Sequence, residues 1–209
     1  MFPSLYAILD AGLAGEKTIL LAEALAAAGV ELIQYRNKPA SSRTVFEDCS
    51  QIAAQLRGRA RFIVNDRADI AALCNGGGVH TGQDDIGVED ARAICGRERW
   101  VGVSTHNIEQ LRAAAETSAD YVAVGPIFPT ATKENPDPVV GIEFIRRARQ
   151  VTKKPLVAIG GITLKNAEDV YRAGADSLAV IRDLIAAPDP AKRAAEYLKL
   201  AARVRPLHN

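Results

Sequence analysis

"RFIVNDR", residues 61–67, starts as a buried strand and ends in an amide, a carboxylate and a guanidinium. Phe62, Ile63 and Val64 suit a sheet interior; Asn65, Asp66 and Arg67 do not. The same pattern recurs in both directions along the chain. Short apolar runs stand at "LYAIL" (5–9), "VELIQY" (30–35), "RFIVN" (61–65), "GVH" (78–80), "WVGV" (100–103), "YVAV" (121–124), "PLVAI" (155–159) and "SLAVI" (177–181). Several are hydrophobic nearly throughout, as parallel strands covered on both faces are. Between them lie Ala-rich amphipathic segments. "EKTILLAEALAAAG" ends at Gly29, a C-terminal cap. "SSRTVFEDCSQIAAQLRG" opens on serines, good N-caps, and stops at Gly58. "NIEQLRAAAETS" begins at Asn107, and "TLKNAEDVYRAG" runs from Thr163 to Gly174.

Strand and helix in regular alternation imply parallel strands joined by right-handed crossovers. Eight such units predict an α/β fold, a closed (β/α)8 TIM barrel, with residues 1–209 as one domain. An open doubly wound sheet is the alternative, but its first turn, "LDAGLAG", lacks a full G-x-G-x-x-G. The one long loop is "GPIFPTATKENPDPVVG" (125–141); a loop of that length in a compact domain is usually functional or disordered.

The bulk numbers narrow the function. The chain has 209 residues, 48% of them hydrophobic and 24% charged, as in ordinary water-soluble domains. A net charge of +1 gives no basic field for nucleic acid or an anionic membrane. No apolar run reaches the roughly 18 residues of a membrane helix, and no basic segment precedes the apolar part of the N-terminus. Cys49, Cys74 and Cys95 are odd in number and far apart in sequence, which speaks against a disulfide framework or a zinc clip. They read as small buried hydrophobes in a reduced cytosol, so a cytoplasmic protein is expected.

In a barrel of this kind the chemistry sits at the C-terminal ends of the strands. Strand two runs into Gln34, Arg36 and Lys38. Strand three ends in Asn65 and Asp66. Strand four gives His80, then Gln83, Asp84 and Asp85. Strand five gives Ser104, Thr105 and His106, and strand six opens the loop carrying Thr130, Thr132 and Lys133. Strands seven and eight end in Gly160–Gly161 and Ile181–Arg182.

Three groupings follow. Asp66 and Asp85 follow adjacent strands, which lie about 4.8 Å apart. Carboxylates that close repel unless a cation sits between them. Mg²⁺ suits such a pair, since it takes one or two carboxylates plus substrate phosphates. Either Asp alone reads more simply as solvated or as a helix cap. Arg36, Lys38 and Lys133 suit a diphosphate, the Arg as a fork and each Lys as a point charge; any one alone reads as surface charge. "AIGGI" and "AVIR" match the barrel phosphate site, where backbone N–H groups face an anion, although a lone Gly-Gly is usually just a turn. His80 reads more simply as a hydrogen-bonded histidine at a strand end than as a ligand or acid–base group. His106 reads as a residue of a helix-capping region, and His208 lies in the tail. Ser104 and His106 are near in sequence, but spacing alone does not make a triad.

Taken together, "QYRNK", "IVNDRADIA", "GVHTGQDD", "GVSTH", "ADYVAVGPIFPTATK" and "VAIGGI" resemble the thiamin phosphate synthase family, in order and spacing, over nearly the whole chain. The resemblance implies a (β/α)8 barrel and a transferase of thiamine biosynthesis. It would join 4-amino-2-methyl-5-pyrimidinylmethyl diphosphate to a thiazole carrying a phosphorylated hydroxyethyl group, with Mg²⁺ as cofactor. It implies that Gln34, Tyr35, Arg36, Asn37, Lys38 and Asn65 hold the pyrimidine diphosphate, joined by Ser104 and Lys133. Asp66 and Asp85 would bind the metal. Thr130, Ala131 and Thr132 would meet the thiazole phosphate, and Gly161, Ile181 and Arg182 the remaining contacts. Arg36, Lys38, Ser104 and Lys133 would carry the catalysis. The resemblance suggests a homodimer. The chain departs from the family at "GGGVH", at Thr81 and at Arg182, where Ser is common.

Three rivals belong to other classes. A thiazole tautomerase on the same fold should not need paired carboxylates. A sugar-phosphate epimerase or aldolase would use the glycine sites but not three cations with two carboxylates, and Lys38 and Lys133 lie in loops rather than strands. A non-catalytic barrel would bind a precursor without turnover.

Overall fold

The computed structural model describes residues 1–130 and 137–205. Eight parallel strands close on themselves in sequence order: β1 (Leu5–Asp10), β2 (Leu32–Arg36), β3 (Arg61–Asn65), β4 (Gly78–Thr81), β5 (Trp100–Thr105), β6 (Tyr121–Val124), β7 (Leu156–Ile159) and β8 (Ser177–Val180). The barrel is sealed by β1 against β8, with Tyr6 opposite Ala179. The surrounding helices are α1 (Ala11–Ala14), α2 (Thr18–Ala27), α3 (Ser42–Leu56), α4 (Ala68–Leu73), α5 (Val88–Cys95), α6 (Ile108–Ala115), α7 (Ile142–Val151), α8 (Ala167–Arg172), α9 (Arg182–Ile185) and α10 (Pro190–Val204).

The strands are largely apolar before their C-terminal ends because both faces are covered there. One set of residues points outward to the helices, among them Ala7, Ile33, Val64, Val79 and Leu178. The alternate set fills the barrel: Tyr6, Ile8, Leu32, Ile63, Tyr121, Ala123, Val157 and Ala179. Phe2 and Trp100 close the N-terminal end, their rings stacked at 5.1 Å, with the Arg61 guanidinium 4.0 Å from the Trp100 ring. Gly102 is required by this packing. A Cβ built there would stand 2.0 Å from the Tyr121 ring, so only glycine leaves room for the phenol reaching across from β6.

Helix starts follow the capping chemistry. Ser41 accepts from the Thr44 N–H at 3.2 Å, Asn107 from Gln110 at 2.8 Å, and Asp189 from Lys192 at 2.9 Å with Pro190 in the first turn. Several strand ends shift by one or two residues, and two expected helix starts change. The helix expected from Thr163 begins only at Ala167, because Asn166 first closes a turn by accepting from the Thr163 N–H at 2.9 Å. The segment expected as one helix from Glu16 opens with a 3-10 turn at Gly15–Lys17. Cys49, Cys74 and Cys95 are free and buried, as the sequence suggested.

Candidate active site

The C-terminal ends of the strands surround a cavity of about 580 Å³. Its lower wall is apolar, with Ile8, Ala123, Val157 and Ala179. Its rim carries Gln34, Arg36, Asn65, His80, Ser104, Thr130, Gly161, Ile181 and Arg182. A smaller pocket of about 180 Å³ is lined by Tyr35, Asn37, Lys38, Asn65 and Asp66. Asn65 borders both, so the two spaces meet at the end of β3.

Asp66 is set by the backbone. Its N–H donates to the His80 carbonyl at 2.8 Å, and its φ of 62° then turns the chain out of the sheet. Asp is among the few residues that accept this left-handed conformation. Asp85 closes its own loop by accepting from the Gly82 N–H at 2.8 Å. The two carboxyls meet. Burial first, then the hydrogen-bonding and charge of Asp85, push the Asp66 carboxyl above the ordinary carboxylate range, while Lys38 pulls the other way. Lys38 Nζ lies 3.1 Å from Asp66 Oδ2. The geometry therefore brings together two carboxylates and one lysine at the mouth. Among the described residues, no group of three or more His, Cys, Asp or Glu side chains could cage a metal. A hard ion completed by substrate oxygens and water needs no such cage.

The other expected residues divide. Gln34 is buried and donates to the Tyr6 hydroxyl at 2.6 Å. Arg36 reaches the cavity but is ion-paired with Asp10, the N-cap of α1. The Tyr35 side chain faces the outer layer, not the lumen; its hydroxyl donates to Asp48 and accepts from Asn37 at 2.9 Å. Tyr35 and Asn37 thus border only the smaller pocket. Ser104 pairs with His80 Nε2 at 2.9 Å, not with His106. His106 donates through Nδ1 to the Gly125 carbonyl at 2.6 Å and faces Asp137 at 3.5 Å, so it ties β5 to the long loop. That loop continues pairing beyond β6: Ile127 N–H meets the Ile159 carbonyl at 2.8 Å and Phe128 N–H the Gly160 carbonyl at 3.1 Å. The close approach is why Gly160 and Gly161 carry no side chain; a Cβ on Gly161 would stand 2.5 Å from the Pro129 carbonyl oxygen. Ala131, Thr132, Lys133 and His208 lie outside the described residues.

Several residues that line the cavity or support its lining escaped the sequence reading; Tyr6 and Arg193 line it, and Tyr121 and Asp10 hold residues that do. Tyr6 and Tyr121 sit in apolar runs and read there as bulk, although a buried phenol usually finds a hydrogen-bond partner. Asp10 stands one residue beyond the expected end of β1. Arg193, from α10, enters the cavity wall beside Arg182 and is held by Asp183 at 2.8 Å. Asp183 also accepts from the Tyr197 hydroxyl at 2.7 Å. Arg182 itself is exposed and has no carboxylate partner among the described residues. An apolar well under a rim of cations, amides and hydroxyls can shield a reactive carbon from water while binding anionic groups above it.

The chain is similar over nearly its whole length to known proteins. The family model described as thiamine monophosphate synthase matches residues 5–184. A thiamine-phosphate synthase of Koribacter versatilis (strain Ellin345) is 48% identical over 203 residues, 95% of each chain. One from Methanosarcina barkeri (strain Fusaro / DSM 804) is 38% identical over 200 residues, 96% of this chain and 91% of its own. The solved thiamine phosphate pyrophosphorylase from Pyrococcus furiosus superposes with a TM-score of 0.88 at 33% identity, covering 96% of both chains. No helix among the described residues is long and apolar enough to cross a membrane.

Proposed function

The chain belongs to the thiamine monophosphate synthase family, whose members are transferases, and we propose in detail how its barrel mouth performs the joining reaction. Residues 1–209 act as one catalytic unit on two small molecules, 4-amino-2-methyl-5-pyrimidinylmethyl diphosphate and the phosphorylated hydroxyethyl-thiazole. The C–O bond to the diphosphate breaks first, and the electron pair leaves with the diphosphate. The aminopyrimidine ring stabilises the resulting cation, and the thiazole nitrogen supplies the pair for the new C–N bond. No covalent nucleophile on the protein is needed.

The observation that supports this reading is the meeting of Asp66 and Asp85 beside Lys38 at the smaller pocket, which adjoins the large apolar-walled cavity through Asn65. The donor set fits Mg²⁺: hard carboxylate oxygens, two of them, with a lysine already drawn to their charge. Bound there, Mg²⁺ would offset the charge of the diphosphate. Lys38, Arg36 and Lys133 attract the same group, Ser104 donates a hydrogen bond to it, and Gln34 and Asn65 orient the pyrimidine. Tyr35 and Asn37 brace the loop that carries Lys38. Thr130, Ala131 and Thr132, with Gly161, Ile181 and Arg182, hold the thiazole phosphate. The apolar wall keeps water from the cation.

The decisive assay incubates the purified chain with both precursors. Thiamin phosphate and diphosphate should appear with Mg²⁺ and cease with a chelator. Absence of product from both precursors with Mg²⁺, or turnover of the thiazole alone, overturns the proposal.

A further inference from the structure

Five side chains from five strands form a continuous hydrogen-bonded line across the barrel interior. Gln34 Nε2 donates to the Tyr6 hydroxyl at 2.6 Å, and the Tyr6 and Tyr121 hydroxyls are 2.9 Å apart. The Tyr121 hydroxyl is 3.0 Å from His80 Nδ1, and His80 Nε2 is 2.9 Å from Ser104 Oγ. β1 and β6 are not neighbours in the barrel, so the line crosses the lumen. The rings are held on both sides: Tyr6 meets Tyr121 edge-on at 84°, and His80 stacks on Tyr121 at 25°.

Hydrogen bookkeeping gives the line a direction. A phenol has one hydrogen to give. Tyr6 receives the amide hydrogen of Gln34, and among the described residues its own hydrogen finds an acceptor only in Tyr121. Burial pushes both phenols far above their ordinary pKa, so both stay protonated. The Tyr121 hydrogen then goes to His80 Nδ1. In its contacts with the described residues, His80 is left with its hydrogen on Nε2 and gives it to Ser104. The Ser104 oxygen is used as an acceptor, and its own hydrogen is turned to the cavity.

We propose that Tyr6, Tyr121 and His80 are positioning residues, whose one-way line fixes His80 as the Nε2–H tautomer and keeps Ser104 a donor toward the departing diphosphate. The role of Ser104 rests on the synthase reading above; the direction of the line does not. Reversal, with Gln34 presenting its carbonyl oxygen to Tyr6, would place the hydrogen on Nδ1 and consume that of Ser104 in a bond to His80.

The test has two arms. Nitrogen-15 spectra of the histidine rings at neutral pH, with His80 assigned by its loss in His80→Asn, should show Nε2 protonated and Nδ1 bare. Tyr121→Phe should move His80 toward a mixture of tautomers, and Tyr6→Phe serves the same purpose if Tyr121→Phe does not fold. An Nδ1–H tautomer or an imidazolium in the native protein, or a tautomer indifferent to both variants, overturns the line. In the kinetic arm, Tyr121→Phe should lower kcat about tenfold while leaving KM for the pyrimidine diphosphate within about twofold. The double variant with Ser104→Ala should be no slower than Ser104→Ala alone. Multiplying losses would refute action through Ser104. A native protein with the expected tautomer but no synthase activity would instead sink the functional reading and spare the line.

Discussion

Asp66 combines a left-handed backbone with a carboxyl set beside that of Asp85. Asn accepts the same backbone without the charge, so Asp66→Asn isolates the electrostatic role. Its Mg²⁺-dependent turnover should fall on the order of 100-fold, as expected when about 3 kcal/mol of leaving-group stabilisation is lost, measured as kcat with both precursors. The raised carboxyl also gives stability a direction with pH. Without metal, folded Asp66 holds its proton more tightly than the unfolded chain does. The stability this adds is present at acid pH and is lost as pH rises from the ordinary carboxylate value through the raised folded one. Denaturant midpoints of metal-free native protein should therefore fall across that window, and those of Asp66→Asn should stay flatter. This part of the site was readable because Asp66 and Asp85 interrupt or follow apolar runs, where a carboxylate stands out. Tyr6 and Tyr121 were not, because an aromatic inside such a run looks like packing until its hydroxyl partner is seen on another strand.

At the level of elements, the segment after β6 and the turn after β7 are built against each other. Gly161→Ala would force a side chain onto a backbone at φ 62° and against the Pro129 carbonyl. It should cost roughly 1–3 kcal/mol of stability by denaturant titration and raise KM for the thiazole phosphate. Arg182→Ala tests the exposed cation at the start of α9. Loss of a charge-assisted contact to phosphate should raise that KM about tenfold or more, with a smaller change in kcat. Strand positions were legible because burial on both faces writes itself as an apolar run; β3 and β6 fall where that pattern puts them. The start of α8 was not, since Thr163–Asn166 has helical composition but closes a turn through Asn166. Nor was the entry of Arg193 into the cavity wall, which depends on how α10 folds back over the barrel end.

On the scale of the whole molecule, the barrel divides its interior between a wet mouth and a dry base. Phe2, Trp100 and Tyr121 stop the lower end, and Phe2→Ala should cost about 2 kcal/mol in thermal or denaturant unfolding, since the ring is stacked but only partly buried. Closure in sequence order was predictable from eight repeated units, whereas the aromatic stopper depends on rings from remote segments. Gly102 adds a last consequence. Because the Tyr121 ring occupies the space its side chain would take, the two positions behave as seat and occupant and can be altered only in concert. Enlarging 102 alone should wreck the barrel, while enlarging it as 121 shrinks should rescue folding without restoring full turnover. Tolerance of Gly102→Ala by itself would show that the seat has slack.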